Sequence, residues 1–208
     1  MLKQQPLAVR EAVEEVCVDM WGGFPKVIKE VFPQAKIVID RFHVQKLVNK
    51  DLNKIRLNLK LKGLNNKYLL TSNQANLTLA EKTELELLLQ ISPCLRIAHE
   101  VKEELVTIYN SKITSRRAMR TISKWLKSAK IIFSNAANTL DSHLSGICNY
   151  FNNRTTSGVV EGACNRSVFE TWQTCLILSL KPGQLVIADN ATFHKGGKIQ
   201  AWRVTRHA

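Results

Sequence analysis

The run KIVID at Lys36–Asp40 is a nearly continuous stretch of β-branched residues, and within four residues of its end the hydrophobic period changes. Unbroken Ile and Val of this kind predict a strand buried on both faces. From Val44 onward, Val44, Leu47, Val48, Leu52, Ile55 and Leu59 fall instead at helical spacing. Upstream, AVEEVCVDM predicts a strand ending at Asp19. Between the two strands GGFPKVIKEVF predicts a short helix, opened by Pro25 and closed by Pro33. Strand, helix, strand is a parallel unit. The chain therefore starts as an α/β fold and turns helical at a definite point.

The polar stretches GLNNK and TSNQAN predict a break after that first long helix. TLAE at Thr78–Glu81 has the form of a capping box for a helix through Gln90. Ser92 and Pro93 start another helix reaching about Tyr109, and two more are predicted near Ser115–Lys127 and Ser134–Tyr150. With 208 residues, 45% of them hydrophobic, the chain can bury one core of this mixed kind.

Charge narrows the class of partner. Lys and Arg outnumber Asp and Glu by 30 to 17, a formal charge of +13. An excess of that size points to a polyanion such as nucleic acid or an anionic membrane. The longest apolar runs, TCLILSL at Thr174–Leu180 among them, fall well short of the roughly 20 residues that a bilayer span needs. No membrane role is expected. Arg41–Lys67 carries eight basic residues against one acidic, and Lys112–Lys130 carries seven against none, whereas Glu81–Glu104 has six acidic residues to three basic. Arg41, Lys46, Lys50, Lys54, Arg116, Arg117 and Arg120 are the candidate phosphate contacts. The five cysteines, Cys17, Cys94, Cys148, Cys164 and Cys175, are scattered without a CxxC pair, which predicts reduced core thiols.

Three acids stand where the chain changes direction: Asp19 after the first strand, Asp40 after the second, and Glu161 in TTSGVVEGACNR. Open α/β sheets place their sites outside the carboxyl ends of the strands. Carboxylates gathered there are hard oxygen ligands of the kind Mg²⁺ takes, and paired Mg²⁺ ions serve phosphodiester cleavage. Taken singly, each acid is better explained as a turn or cap residue.

Two longer stretches add to this. VCVDMWGGFPKVIKEVFPQAKIVIDRFHVQKLVNK and SHLSGICNYFNNRTTSGVVEGACNR together resemble the catalytic domain of the ISL-three family of bacterial insertion-sequence transposases. The resemblance implies a ribonuclease H-like α/β fold carrying a large all-helical insertion, here about residues 44–150, and an Asp-Asp-Glu triad that holds Mg²⁺. Residues 1–166 would be that catalytic domain, DNA the partner, and the bacterial cytoplasm the location. Asp19 matches the second triad aspartate and Glu161 the glutamate, so these two are the catalytic and metal-binding candidates. Asp40 and His43 of DRFH match an Asp-x-x-His signature and become candidates for organising the site or the DNA. An alternative alignment makes Asp40 the triad member. The family's first aspartate has no match, so the domain is expected to be truncated and partial, and inactive alone.

From Val168 to Ile199 the sequence VFETWQTCLILSLKPGQLVIADNATFHKGGKI resembles a second group, the insertion-sequence transposases related to Tc/mariner elements. Asp189, Asn190 and His194 carry that likeness. Pro182–Gly183 predicts a turn and QLVIAD a strand. Residues 167–208 are accordingly expected to be a fragment of another transposase, and the whole a chimera. A non-catalytic DNA-binding remnant that modulates an intact enzyme is the alternative expectation. Oligomeric state, a homo-oligomer included, is not given by the sequence.

Overall fold

A computed structural model describes residues 5–20 and 22–156 and the backbone of a strand at 185–187. The chain divides into two compact units, residues 1–42 with 153–208, and residues 43–152.

The first unit holds a small parallel sheet. After the short helix α1 (Leu7–Glu11), strand β1 (Glu15–Val18) leads to helix α2 (Phe24–Val31) and strand β2 (Lys36–Ile39). Strands β1 and β2 pair in parallel with Glu15 opposite Lys36 and Val18 opposite Ile39. Strand β3 (Leu185–Ile187) pairs with the other edge of β1, also in parallel, giving the order β2-β1-β3. Burial follows this order. All four β1 residues are buried, but in β2 only Val38 and Ile39 are, while Lys36 is exposed and Ile37 half-buried. The expectation that KIVID is covered on both faces thus holds only for its second half, because β2 is an edge strand among the described residues and β1 is the central one. Pro25 stands in the first turn of α2, as its sequence position predicts.

The second unit is all helix. It contains most of α3 (Arg41–Asn58) and then α4 (Leu64–Thr71), a 3₁₀ turn at Gln74–Asn76, α5 (Leu79–Gln90), α6 (Pro93–Asn110), α7 (Ser115–Ile132), α8 (Ser134–Ser142) and all but the last residue of α9 (Leu144–Asn153). The capping box of α5 is present in both directions: Thr78 N donates to Glu81 Oε2 at 2.8 Å, and Glu81 N donates to Thr78 Oγ1 at 3.3 Å. The bond from Thr78 N, with a second from Thr78 Oγ1 to the same oxygen at 2.8 Å, holds the Glu81 carboxyl below its ordinary range. Trp125, Tyr109, Leu95, Leu105 and Ile122 lie fully inside, and the buried Trp125 Nε1 donates to Val101 O at 2.8 Å, tying α7 to α6.

Three local expectations need correction. The polar stretch after α3 contains helix α4, because Leu69 and Leu70 bury against the unit's core while the actual turns fall at Lys60 (φ 57°) and Gly63 (φ 119°). Only glycine adopts the second of these angles without strain. The helix predicted over Ser134–Tyr150 is two helices. At His143 the ring Nδ1 lies 2.9 Å from Thr139 O and Ser142 Oγ donates to the same carbonyl at 2.8 Å, so side chains compete for a backbone acceptor and the first helix stops. Finally, Cys17 and Cys148 are buried thiols as expected, burial pushing Cys148 up to about 11, but Cys94 is exposed. Cys164 and Cys175 lie outside the described residues.

Candidate functional site

The β1–β2 pairing sets the geometry of the acids. Asp40 N donates to Val18 O at 2.9 Å, which carries the parallel ladder one step past Ile39. Asp19 and Asp40 are the next residues on the two strands, so both leave the same, carboxyl-terminal end of the sheet. Their surroundings differ. Asp19 is half-buried. Asp40 is 1% exposed; its Oδ1 accepts from Phe42 N at 2.6 Å, and Cys17 Sγ lies 3.8 Å from its Oδ2. That Phe42 bond is an N-terminal cap for α3, satisfying a backbone donor that the helix itself cannot. The Asp-x-x-His spacing therefore has a local cause: the aspartate starts the helix. His43 follows as a half-buried residue in its first turn. Among the described residues no three His, Cys, Asp or Glu side chains gather as a metal site. Glu161, Asp189, Asn190 and His194 lie outside the described residues.

The basic candidates separate into two kinds. On α7, Arg116, Arg117 and Arg120 are all exposed, and so are Lys124 and Lys127. At 100° per residue these five fall within an arc of about 100°. Ala118, Ile122, Trp125, Leu126 and Ala129 are buried on the opposite side of the same helix. One face is core and the other is a cationic stripe roughly 17 Å long, from Arg116 to Lys127 at 1.5 Å per residue. Lys124 and Lys127 join the candidates only here, although their spacing from Arg120 is visible in RRAMRTISKWLK.

On α3, Lys46, Lys50 and Lys54 share an exposed face. Lys54 is partly committed, its Nζ lying 2.6 Å from Asp51 Oδ1. Arg41 is half-buried at the helix start. Arg56, in the same basic run, is buried: Nε donates to Asn53 Oδ1 at 2.9 Å and the guanidinium reaches the carbonyls of Leu61 and Gly63. It caps the end of α3 and is not available to a ligand.

One polar group escapes sequence reasoning entirely. Glu15, inside β1, is 5% exposed, and its two oxygens accept from Asn153 Nδ2 at 2.9 Å and Thr155 Oγ1 at 2.7 Å. An acid at the head of the otherwise apolar run VCV is the available signal.

Together these features define an α/β protein with a small parallel sheet, two acids at its carboxyl end, and a helical unit bearing an exposed cationic helix. The profile of the ISL-three DDE transposases, described as "Transposase", matches residues 1–169. The chain belongs to this transposase family. No curated protein and no solved structure matches it.

Proposed function

We propose that the chain is a DNA transposase by descent that binds duplex DNA chiefly through phosphates, with α7 as its principal contact. The cationic stripe from Arg116 to Lys127 is the observation that carries this reading. Five exposed positive side chains on a well-anchored helix meet a phosphate backbone without needing base contacts. Lys46 and Lys50 extend the basic surface, Lys54 less so because Asp51 holds it. Membership of a transposase family makes DNA the natural partner.

For the chemistry we take the family's ribonuclease H-like site as the frame, with Asp19 and Glu161 as metal ligands. Asp19 suits Mg²⁺, being a half-buried carboxylate at a sheet end, and that ion takes one or two carboxylates together with waters. Asp40 suits it less: its buried carboxylate is engaged by the start of α3, which supports a positioning role for Asp40 and His43. Bound in a pair, Mg²⁺ ions activate a nucleophile and stabilise the leaving oxygen in strand transfer. These 208 residues hold matches for two acids of the triad, so by themselves they are proposed to bind DNA and to leave it uncut. Residues 167–208 are proposed to derive from a second transposase, which would make the gene chimeric.

The direct test is duplex binding across salt. Affinity is expected to fall with a log-log slope of about −0.9 for each phosphate engaged. A slope near zero between low and physiological salt would count against phosphate recognition.

A further inference from the structure

The main helix contacts of the second unit run in series, α4 on α5, α5 on α6, α6 on α7 and α7 on α8. Among the described residues the pair α4–α5 therefore ends the series, and α6 stands between it and α7. Polar side chains do not cover that end. Leu64 and Tyr68 lie one turn apart on α4, and Leu87 and Ile91 lie one turn apart at the end of α5, all four exposed, Leu64 to 85% and Leu87 to 61%. Beside them an open groove of about 330 Å³ runs between the two helices, lined by Leu61, Leu69, Leu87, Leu88 and Ile91. Asn65 Nδ2 donates to Glu84 Oε2 at 3.0 Å, linking its two walls. Single exposed apolar residues need no explanation, but a groove flanked by two such pairs marks an interaction surface.

Charge decides what can sit there. Residues 61–91 hold three lysines, Lys62, Lys67 and Lys82, against three glutamates, Glu81, Glu84 and Glu86, whereas the whole chain carries +13. Two copies of so basic a chain repel wherever positive surfaces meet, and approach best where charge cancels. The signs are also sorted between the helices. Lys67 is exposed one turn from Leu64 on α4, and Glu84 is exposed one turn from Leu87 on α5. Glu86 is already held by Arg96 at 2.6 Å, and Lys82, two residues from Glu84, faces another side of α5. A two-fold axis that lays α4 of one copy along α5 of the other sets Lys67 against Glu84 twice and each apolar pair against the other copy's groove. A foreign cationic helix would instead meet Lys62 and Lys67, and a nucleic acid would meet Glu84.

We propose that the α4–α5 face joins two copies of this chain about a two-fold axis, with Leu64, Tyr68, Leu87 and Ile91 at its centre and Lys67–Glu84 pairs at its rim. Four apolar side chains a copy fall short of the roughly 800 Å² per partner of a standard interface, so association belongs in the micromolar range.

Sedimentation equilibrium of the full chain without DNA, over about 1–100 µM, tests this. The parent is expected to pass from monomer to dimer within that range. Leu87→Glu with Ile91→Glu is expected to weaken association at least about ten-fold. Both positions are exposed, so helix content by circular dichroism is expected to match the parent. Lys67→Glu and Glu84→Lys, each alone, place like charges together at both rim contacts and are expected to weaken association about three-fold. Mixed in equal amounts these two variants regain both opposite-charge pairs, and the mixture is expected to associate about as well as the parent. This charge exchange carries the test if the double glutamate variant fails to fold. A parent still monomeric at about 100 µM would overturn the proposal. So would a dimer indifferent to the Leu87 and Ile91 changes, or a mixture no stronger than its separate components. Assemblies growing past two copies would also overturn it, since they require a head-to-tail contact.

Discussion

Asp51 on α3 accepts a hydrogen bond at 3.1 Å from the backbone nitrogen of Ala136, 85 residues further on, in the first turn of α8. Phe133 occupies the cap position of that helix and offers no side-chain cap of its own. Asp51 supplies one from another helix, while its second oxygen takes Lys54 Nζ at 2.6 Å. Asp51→Ala is expected to destabilise the helical unit by about 1–3 kcal/mol, the range for stranding a buried donor. Asp51→Asn keeps an acceptor and is expected to lose less. Urea unfolding of both variants measures the difference, and equal losses would mean that charge, not the cap, is what matters.

For DNA binding, the triple variant Arg116→Ala, Arg120→Ala, Lys124→Ala is expected to weaken association with all duplex sequences alike. The salt slope should become shallower by about 0.9 for each phosphate that is no longer engaged. Lys46→Ala with Lys50→Ala is expected to have a smaller effect, and Lys54→Ala the least, because Asp51 already engages it. Titrations on two unrelated duplexes check this; weakening on only one would indicate base readout.

His99 gives the helical unit a pH dependence. The ring is 2% exposed, and burial, reinforced by the Lys102 cation, pushes it down to about 4 from an ordinary 6.5, against the opposing pull of Glu103. The folded chain holds His99 neutral while the unfolded chain protonates it near pH 6.5. Stability from this group is thus fully present above about pH 6.5 and is lost as pH falls toward 4, on the order of 3 kcal/mol at most. Unfolding free energies of the parent and His99→Gln, taken from about pH 4 to 7, should differ by a pH-dependent amount confined to that window. A constant difference would contradict the assignment.

Asp40 can be tested as a cap. Asp40→Asn retains an oxygen for Phe42 N and is expected to keep most of the stability, whereas Asp40→Ala should cost about 0.5–2 kcal/mol. Mn²⁺ uptake is expected to survive Asp40→Asn; its disappearance would make Asp40 a ligand and favour the alternative alignment.

Where the sequence is legible, a local rule carries the signal. The change of period after KIVID marks the passage from sheet to helix, and Thr78 with Glu81 marks a helix start, because both depend on residues close in the chain. The break at His143 is hidden, since polar side chains compete with a helix only where the local geometry lets them reach a carbonyl. Glu15 and Asp51 are hidden for a stronger reason. Their partners lie 85 to 140 residues away, and no pattern in a single sequence pairs a buried acid with a distant donor. The α7 stripe is half legible: its arginines stand out by density, while Lys124 and Lys127, inside the helix expected near Ser115–Lys127, join them only when the buried face of α7 is known.

Binding DNA without cutting it is the behaviour proposed here for a chain of transposase descent. It is tested by incubating the chain with end-labelled duplex bearing the element's terminus and Mg²⁺ or Mn²⁺, beside an Asp19→Ala, Glu161→Ala variant. A two-metal reaction needs carboxylates enough to hold both ions about 3.5–4 Å apart. The expected outcome is salt-sensitive binding with no cleavage in either protein; metal-dependent strand cleavage by the parent that disappears in the variant would overturn the proposal.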